Sequence, residues 1–67
     1  MPIVRDPEIL SGMPVVAGTR VLAYDVAASM QKGIPVARIL EAYPRITWAD
    51  ILDCVRYAEE NPPQKEV

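Results

Sequence analysis

Apolar residues change their spacing along the chain near residue 23. Before that point they come in short runs, Ile3-Val4, Val15-Val16-Ala17 and Val21-Leu22, separated by Pro7, Gly12, Pro14 and Gly18. Runs this short and rich in β-branched residues predict strands of only a few residues. Asp6-Pro7-Glu8 reads as a turn, because proline fixes φ and an Asp side chain bonds to nearby backbone. Ser11-Gly12 reads as another turn, and Gly18 is expected at positive φ before Thr19-Arg20. Strands so short are weak alone. Ile3, Val4, Val21 and Leu22 are therefore expected to pair with a second copy of the segment in a homodimer.

From Tyr24 the spacing becomes helical. A first helix is predicted over Tyr24 to Lys32, with Leu22, Val26 and Met30 on one side and Gly33 at its C′ position. Asp25 and Lys32 both complement its dipole. A second helix follows, with Pro35 in its first turn and Val36, Ile39, Leu40 and Tyr43 as one apolar stripe, and stops at Pro44. The third helix has the clearest start: Thr47 as N-cap and Asp50 three residues on, a capping box with Asp in place of Glu. Its buried stripe is predicted as Trp48, Ile51, Leu52, Val55 and Ala58, with fraying near Asn61 before Pro62-Pro63.

The expected architecture is thus one mainly α domain over residues 1–60, with strands and turns in 1–23 and three helices in 24–60. A disordered tail is expected over 61–67. Turns this short match a trihelical, homeodomain-like helix-turn-helix unit. In its second helix pair Ile39, Ile46, Ile51 and Cys54 fall at interior positions if the turn carries one extra residue. Three short helices are also the simplest way to build a small core, with or without a nucleic-acid partner.

Charge changes where a partner would bind. Seven Lys+Arg against nine Asp+Glu give a net charge of −2 over 67 residues. The first forty residues carry four basic and three acidic groups, and the remainder three basic and six acidic. Phosphates would be repelled by the outer face of the third helix, where Asp50, Asp53, Glu59 and Glu60 outnumber Arg56. Candidate DNA or partner contacts are therefore Arg20, Lys32, Arg38 and Arg45. Arg20, just after a turn glycine, either ties the N-terminal segment to a carbonyl or carboxylate or meets a phosphate or partner.

Composition excludes several chemistries. Histidine is absent and Cys54 is the only cysteine, so His-based triads, His general bases and the usual Cys/His zinc sites are ruled out. Ser11 and Ser29 have no histidine to activate them, and the glycines lack Walker spacing. No catalytic residue, metal site or cofactor is expected, and Cys54 reads as a small core residue. A content of 51% hydrophobic with 24% charged residues argues against disorder. The N-terminus lacks the apolar region of a signal peptide and no stretch approaches a membrane span, so a cytoplasmic protein is expected.

Several runs together resemble the prokaryotic domain-of-unknown-function family 433, described as predicted antitoxin components of toxin–antitoxin pairs. They are Ile3-Val4-Arg5-Asp6-Pro7-Glu8-Ile9, the stretch from Gly12-Met13-Pro14 to Gly18-Thr19-Arg20-Val21, and Gly33. Ile39-Leu40-Glu41-Ala42-Tyr43-Pro44, Ile46-Thr47 and Asp50-Ile51 complete the pattern. The chain departs from it at Ile34-Pro35-Val36-Ala37-Arg38, where the family carries a Ser or Thr cap and acidic residues. The resemblance implies a homeodomain-like fold, a PIN-like ribonuclease toxin as partner, and binding to the operon's own promoter DNA. Asp53, Glu59 and Glu60 then become candidate toxin contacts. The competing expectations are a DNA-binding regulator without a toxin and a purely structural dimerisation module.

Overall fold

The computed structural model describes residues 3–63. Strand β1 (Ile3–Arg5) pairs antiparallel with β2 (Pro14–Val16), matching Ile3 with Val16 and Val4 with Val15. A tight turn through Gly18 (φ 78°) then folds the chain back, so that Leu22 bridges Val15 on the other side of β2. The Thr19 hydroxyl pins this turn, donating to the Val16 carbonyl at 2.8 Å and accepting from the Val21 N–H at 3.0 Å. The pieces expected to pair across a dimer, Ile3, Val4, Val21 and Leu22, therefore find their backbone partners within one chain. Val15 and Val16, both buried, supply the central strand that the two outer pieces share.

Between the strands the chain makes one left-handed turn at Leu10–Gly12, where Leu10 and Ser11 hold φ of 49° and 56°. Helix α1 (Ala23–Gln31) starts one residue earlier than the spacing predicts, with Leu22 as N-cap, and Lys32 is its C-cap. Gly33 follows at φ 79°, as a C′ glycine does. Helix α2 (Val36–Ala42) has Pro35 as N-cap with no side-chain capping bond. Helix α3 (Trp48–Glu60) opens with the full capping box: the Asp50 N–H donates to Thr47 Oγ1 at 3.2 Å, and the Thr47 N–H donates to Asp50 Oδ2 at 2.9 Å.

The core joins Val16, Ala23, Val26, Ile39, Ile46, Ile51 and Cys54 into one apolar cluster, with α1 packed chiefly against α3. All four residues expected inside the second helix pair, Ile39, Ile46, Ile51 and Cys54, are buried. The result is a mainly α fold of three helices with a two-stranded antiparallel sheet. Its radius of gyration of 11.4 Å is close to the roughly 11 Å expected for a compact chain of this length.

One part of the predicted core is on the outside. Trp48 is 48% exposed and Leu52 46% exposed, although both were expected in the α3 stripe. The core-facing side of α3 runs through buried Ile51 and Cys54 and half-buried Ala58, at spacings of three and four. Leu52 lies about 100° around the helix from Ile51, on a flank exposed to solvent. Trp48 stands one turn before Leu52 on that same flank. At the other end, Asn61 is held in place: its N–H donates to the Tyr57 carbonyl at 2.8 Å, and the Tyr24 hydroxyl donates to its carbonyl at 2.7 Å. Of the expected tail, residues 64–67 lie outside the described residues.

Candidate functional site

Every buried side chain among the described residues is apolar, and no buried side-chain nitrogen or oxygen is left unpaired. Functional chemistry must therefore lie on the surface. The helices sort that surface into separate regions.

The first region is the outer flank of α3. Trp48, Leu52 and Glu59 are spaced by four and seven residues and so share one side of the helix. Asp53 and Glu60, also seven apart, occupy the adjoining side, with exposed Arg56 between the two. Glu59 and Glu60 are exposed and Asp53 is half-buried. The three expected acidic contacts thus accompany an apolar pair that the sequence pattern placed in the core. The capping box aims Trp48 outward by fixing where α3 begins. Trp48 is the first helical residue, a turn ahead of Ile51 and Leu52.

The basic candidates are all exposed but sit on separate elements. Arg20 follows the Gly18-Thr19 turn, Lys32 caps α1, Arg38 lies in the first turn of α2, and Arg45 is in the α2–α3 connection. Arg20 bonds to no described carbonyl or carboxylate, and it is Thr19 that ties this segment down. Arg38 sits near the positive end of the α2 dipole, where a cation costs about 0.3–1 kcal/mol. That helix also lacks a side-chain cap. Arg38 therefore opposes the stability of its own helix.

Cys54 is fully buried and reduced. Burial chiefly, then the charges of Asp50 and Asp53, push its thiol from 9.0 up to about 11. At neutral pH it is a protonated packing residue, the opposite of an activated nucleophile. No three Cys, Asp or Glu side chains gather into a metal-holding group among the described residues. No helix of the described residues is long and apolar enough to cross a membrane.

A second cluster has no counterpart in the sequence reading. Arg5 Nε donates to Tyr57 Oη at 2.8 Å, and the guanidinium lies 5.8 Å from the centre of the Tyr57 ring. Tyr57 in turn meets Tyr24 at 6.0 Å between ring centres. These three residues, with Asn61 bonded to the Tyr24 hydroxyl, thus join β1, α1 and the end of α3 across up to 52 positions of sequence. Only the strand register would have indicated it, because Arg5 ends β1 on the side where α3 packs.

The sequence profile of the family described as "Protein of unknown function (DUF433)" matches residues 3–58. An uncharacterized protein of Sinorhizobium fredii, y4eO, is 50% identical over 60 residues, which is 90% of this chain and 27% of that protein. The crystal structure of a DUF433 member from Anabaena variabilis superposes with a TM-score of 0.81 at 31% identity, over 91% of this chain and 60% of that one. The chain thus spans about a quarter of the Sinorhizobium protein's length and three-fifths of the Anabaena chain. Matched over most of its length in both sequence and fold, the chain belongs to the DUF433 family.

Proposed function

We propose that this protein is an antitoxin-like binding protein that holds a PIN-like ribonuclease through the outer flank of α3. The observation that carries this reading is the exposure of Trp48 and Leu52 beside Glu59. A half-exposed tryptophan on a short helix forfeits much of its burial energy, and aromatic anchors of this kind dominate protein interfaces. Glu59, Glu60 and Asp53 around the apolar pair would favour the basic groove of a nuclease over another acidic surface. Inhibition would be steric, with the acidic residues meeting the groove that otherwise takes RNA. The protein would act in the cytoplasm.

Co-expression with a PIN-like protein, sought first among the products of the adjacent genes, tests the reading. A stable complex on size exclusion is expected, weakened at least about tenfold by Trp48→Ala, as for an interface anchor. If the two proteins elute separately, or Trp48→Ala binds as the wild type does, the assignment fails. The same column reads self-association. With Ile3, Val4, Val21 and Leu22 paired within the chain, strand exchange is not needed to complete the sheet.

A second reading, promoter binding through a helix-turn-helix arrangement, is favoured by Arg38. A cation that opposes its own helix dipole needs another reason to be there. This reading expects salt-dependent binding to promoter DNA, weakened by Arg38→Ala or Arg45→Ala. Equal and weak binding to unrelated duplexes would count against it.

A further inference from the structure

Between α1 and the end of α3 runs a shallow groove that the α3 flank does not include. At one end its walls are Ala27, Ala28 and Ala58 with Gln31, and a cavity of about 300 Å³ opens there. At the other end it widens to about 420 Å³ beside Arg5 and Met13. Tyr24, Pro62 and Pro63 line both parts, so the two are continuous. From Tyr24 to Gln31 is two turns of helix, about 10 Å, which matches about three residues of extended peptide.

We propose that this groove binds an extended peptide segment of a partner protein, with an acidic side chain of the peptide paired end-on to Arg5. Three observations carry the assignment. The guanidinium is already positioned: its Nε is committed to Tyr57 Oη, and its central carbon lies 5.8 Å from the centre of the Tyr57 ring. Among the described residues that leaves the two terminal nitrogens without a bonded partner, and their parallel N–H donors match the two oxygens of a carboxylate. Next, Arg5 is the only charged residue lining the groove among the described residues. One cation suits a singly charged carboxylate, whereas a phosphate monoester, with close to two charges, is commonly held by more than one. Finally, alanine, proline, tyrosine and methionine walls suit apolar residues flanking that acid, and Gln31 offers an amide to the peptide backbone.

This site is distinct from the face proposed above and does not rest on it. Trp48 and Asn61 stand at opposite ends of α3, about 20 Å apart.

A random heptapeptide display library selected on the full-length protein tests the proposal. Enrichment of one Asp or Glu flanked by apolar residues is expected. The selected peptide should bind at least about tenfold more weakly to Arg5→Met, the range expected for a lost charge-assisted pair. Arg5→Lys, which keeps the charge but not the fork, should fall between. Ala28→Leu, which fills the groove without touching Arg5, should also lose the peptide. A single cooperative thermal transition well above the assay temperature would show that each variant is folded, and backbone amide shifts in an NMR titration would place the peptide on α1 and β1. Failure to enrich an acidic motif, or equal binding by Arg5→Met and wild type, overturns the proposal. So does stronger competition from AMP or inorganic phosphate than from N-acetylglutamate. Displacement by a synthetic Gln-Lys-Glu-Val peptide, the sequence of residues 64–67, would make the occupant a segment of this chain and would equally overturn it.

Discussion

Ile51 and Leu52 are neighbours of similar size with opposite environments, and the fold stands or falls on that difference. Ile51 is completely buried in the cluster that holds Val26, Ile39 and Cys54 together, and Leu52 is 46% exposed. Truncating a buried isoleucine to alanine costs about 2–5 kcal/mol, from lost transfer energy plus the cavity left behind. A domain of this size has only roughly 3–10 kcal/mol in all, so Ile51→Ala should consume a large share of it. Burying a whole leucine stabilises by about 1.5–3 kcal/mol. Half of that, offset by the better helix propensity of alanine, leaves about 1 kcal/mol or less for Leu52→Ala. At about 4–8 °C per kcal/mol, the midpoints should fall by roughly 8–40 °C for Ile51→Ala and by less than roughly 8 °C for Leu52→Ala. Urea and thermal unfolding followed by far-ultraviolet circular dichroism read both values. If the two variants lose the same stability, Leu52 is as deeply packed as Ile51 and the exposed flank does not exist. Partner binding should divide the other way, with Leu52→Ala losing affinity while keeping its fold.

Three further outcomes check other parts of the structure. Thr47→Ala removes the acceptor for the Asp50 N–H and should cost about 1 kcal/mol, with Thr47→Ser close to wild type in the same urea titration. Gly33 sits at φ 79° with open space where a Cβ would go. Gly33→Ala should therefore cost about 1 kcal/mol through backbone strain alone, and a stabilised variant would refute the left-handed turn. Cys54 has its folded thiol raised to about 11, so its contribution is complete below pH 9 and is lost as pH climbs from 9 to 11. That loss amounts to at most about 2–3 kcal/mol. Cys54→Ala should show a shallower stability loss across that window, and equal slopes would refute the assignment.

The helical two-thirds of the fold was legible because its signals are local. The Thr47–Asp50 capping box and Gly33 each act within a few residues and do not depend on distant packing, and the helical spacing of Ile51 and Cys54 is read within one element. The partner of each strand piece was not legible. Val15-Val16 and Val21-Leu22 look alike in sequence whether they pair with one another or with a second chain. The choice is made by the Gly18 turn and by the two bonds of the Thr19 hydroxyl. The side of α3 that faces the core was also ambiguous. Trp48, Leu52 and Val55 form as good a periodic stripe as Ile51, Cys54 and Ala58. Only the position of α1 decides between them. The Arg5–Tyr57–Tyr24 cluster joins residues up to 52 positions apart, and no periodicity within one element can report such a contact.

The ambiguity on α3 bears directly on function. A helix in a domain this small has one neighbour of substance, here α1, so two apolar stripes cannot both be covered by the chain itself. A stripe that only solubilised the helix would be polar, and Trp48 and Leu52 are neither polar nor needed by the core cluster. Arg38, set against the dipole of α2, and Arg5, held ready by Tyr57, depart from what their own elements require in the same way. None of the four is buried, and the core contains no polar group for any of them to satisfy. On the proposed reading, folding and recognition are therefore carried by separate sets of residues. Substitutions at Arg5, Arg38, Trp48 and Leu52 should alter binding at a cost in stability of about 1 kcal/mol or less each, whereas those at Val26, Ile39 or Ile51 should destabilise the chain by about 2 kcal/mol or more when truncated to alanine or its equivalent.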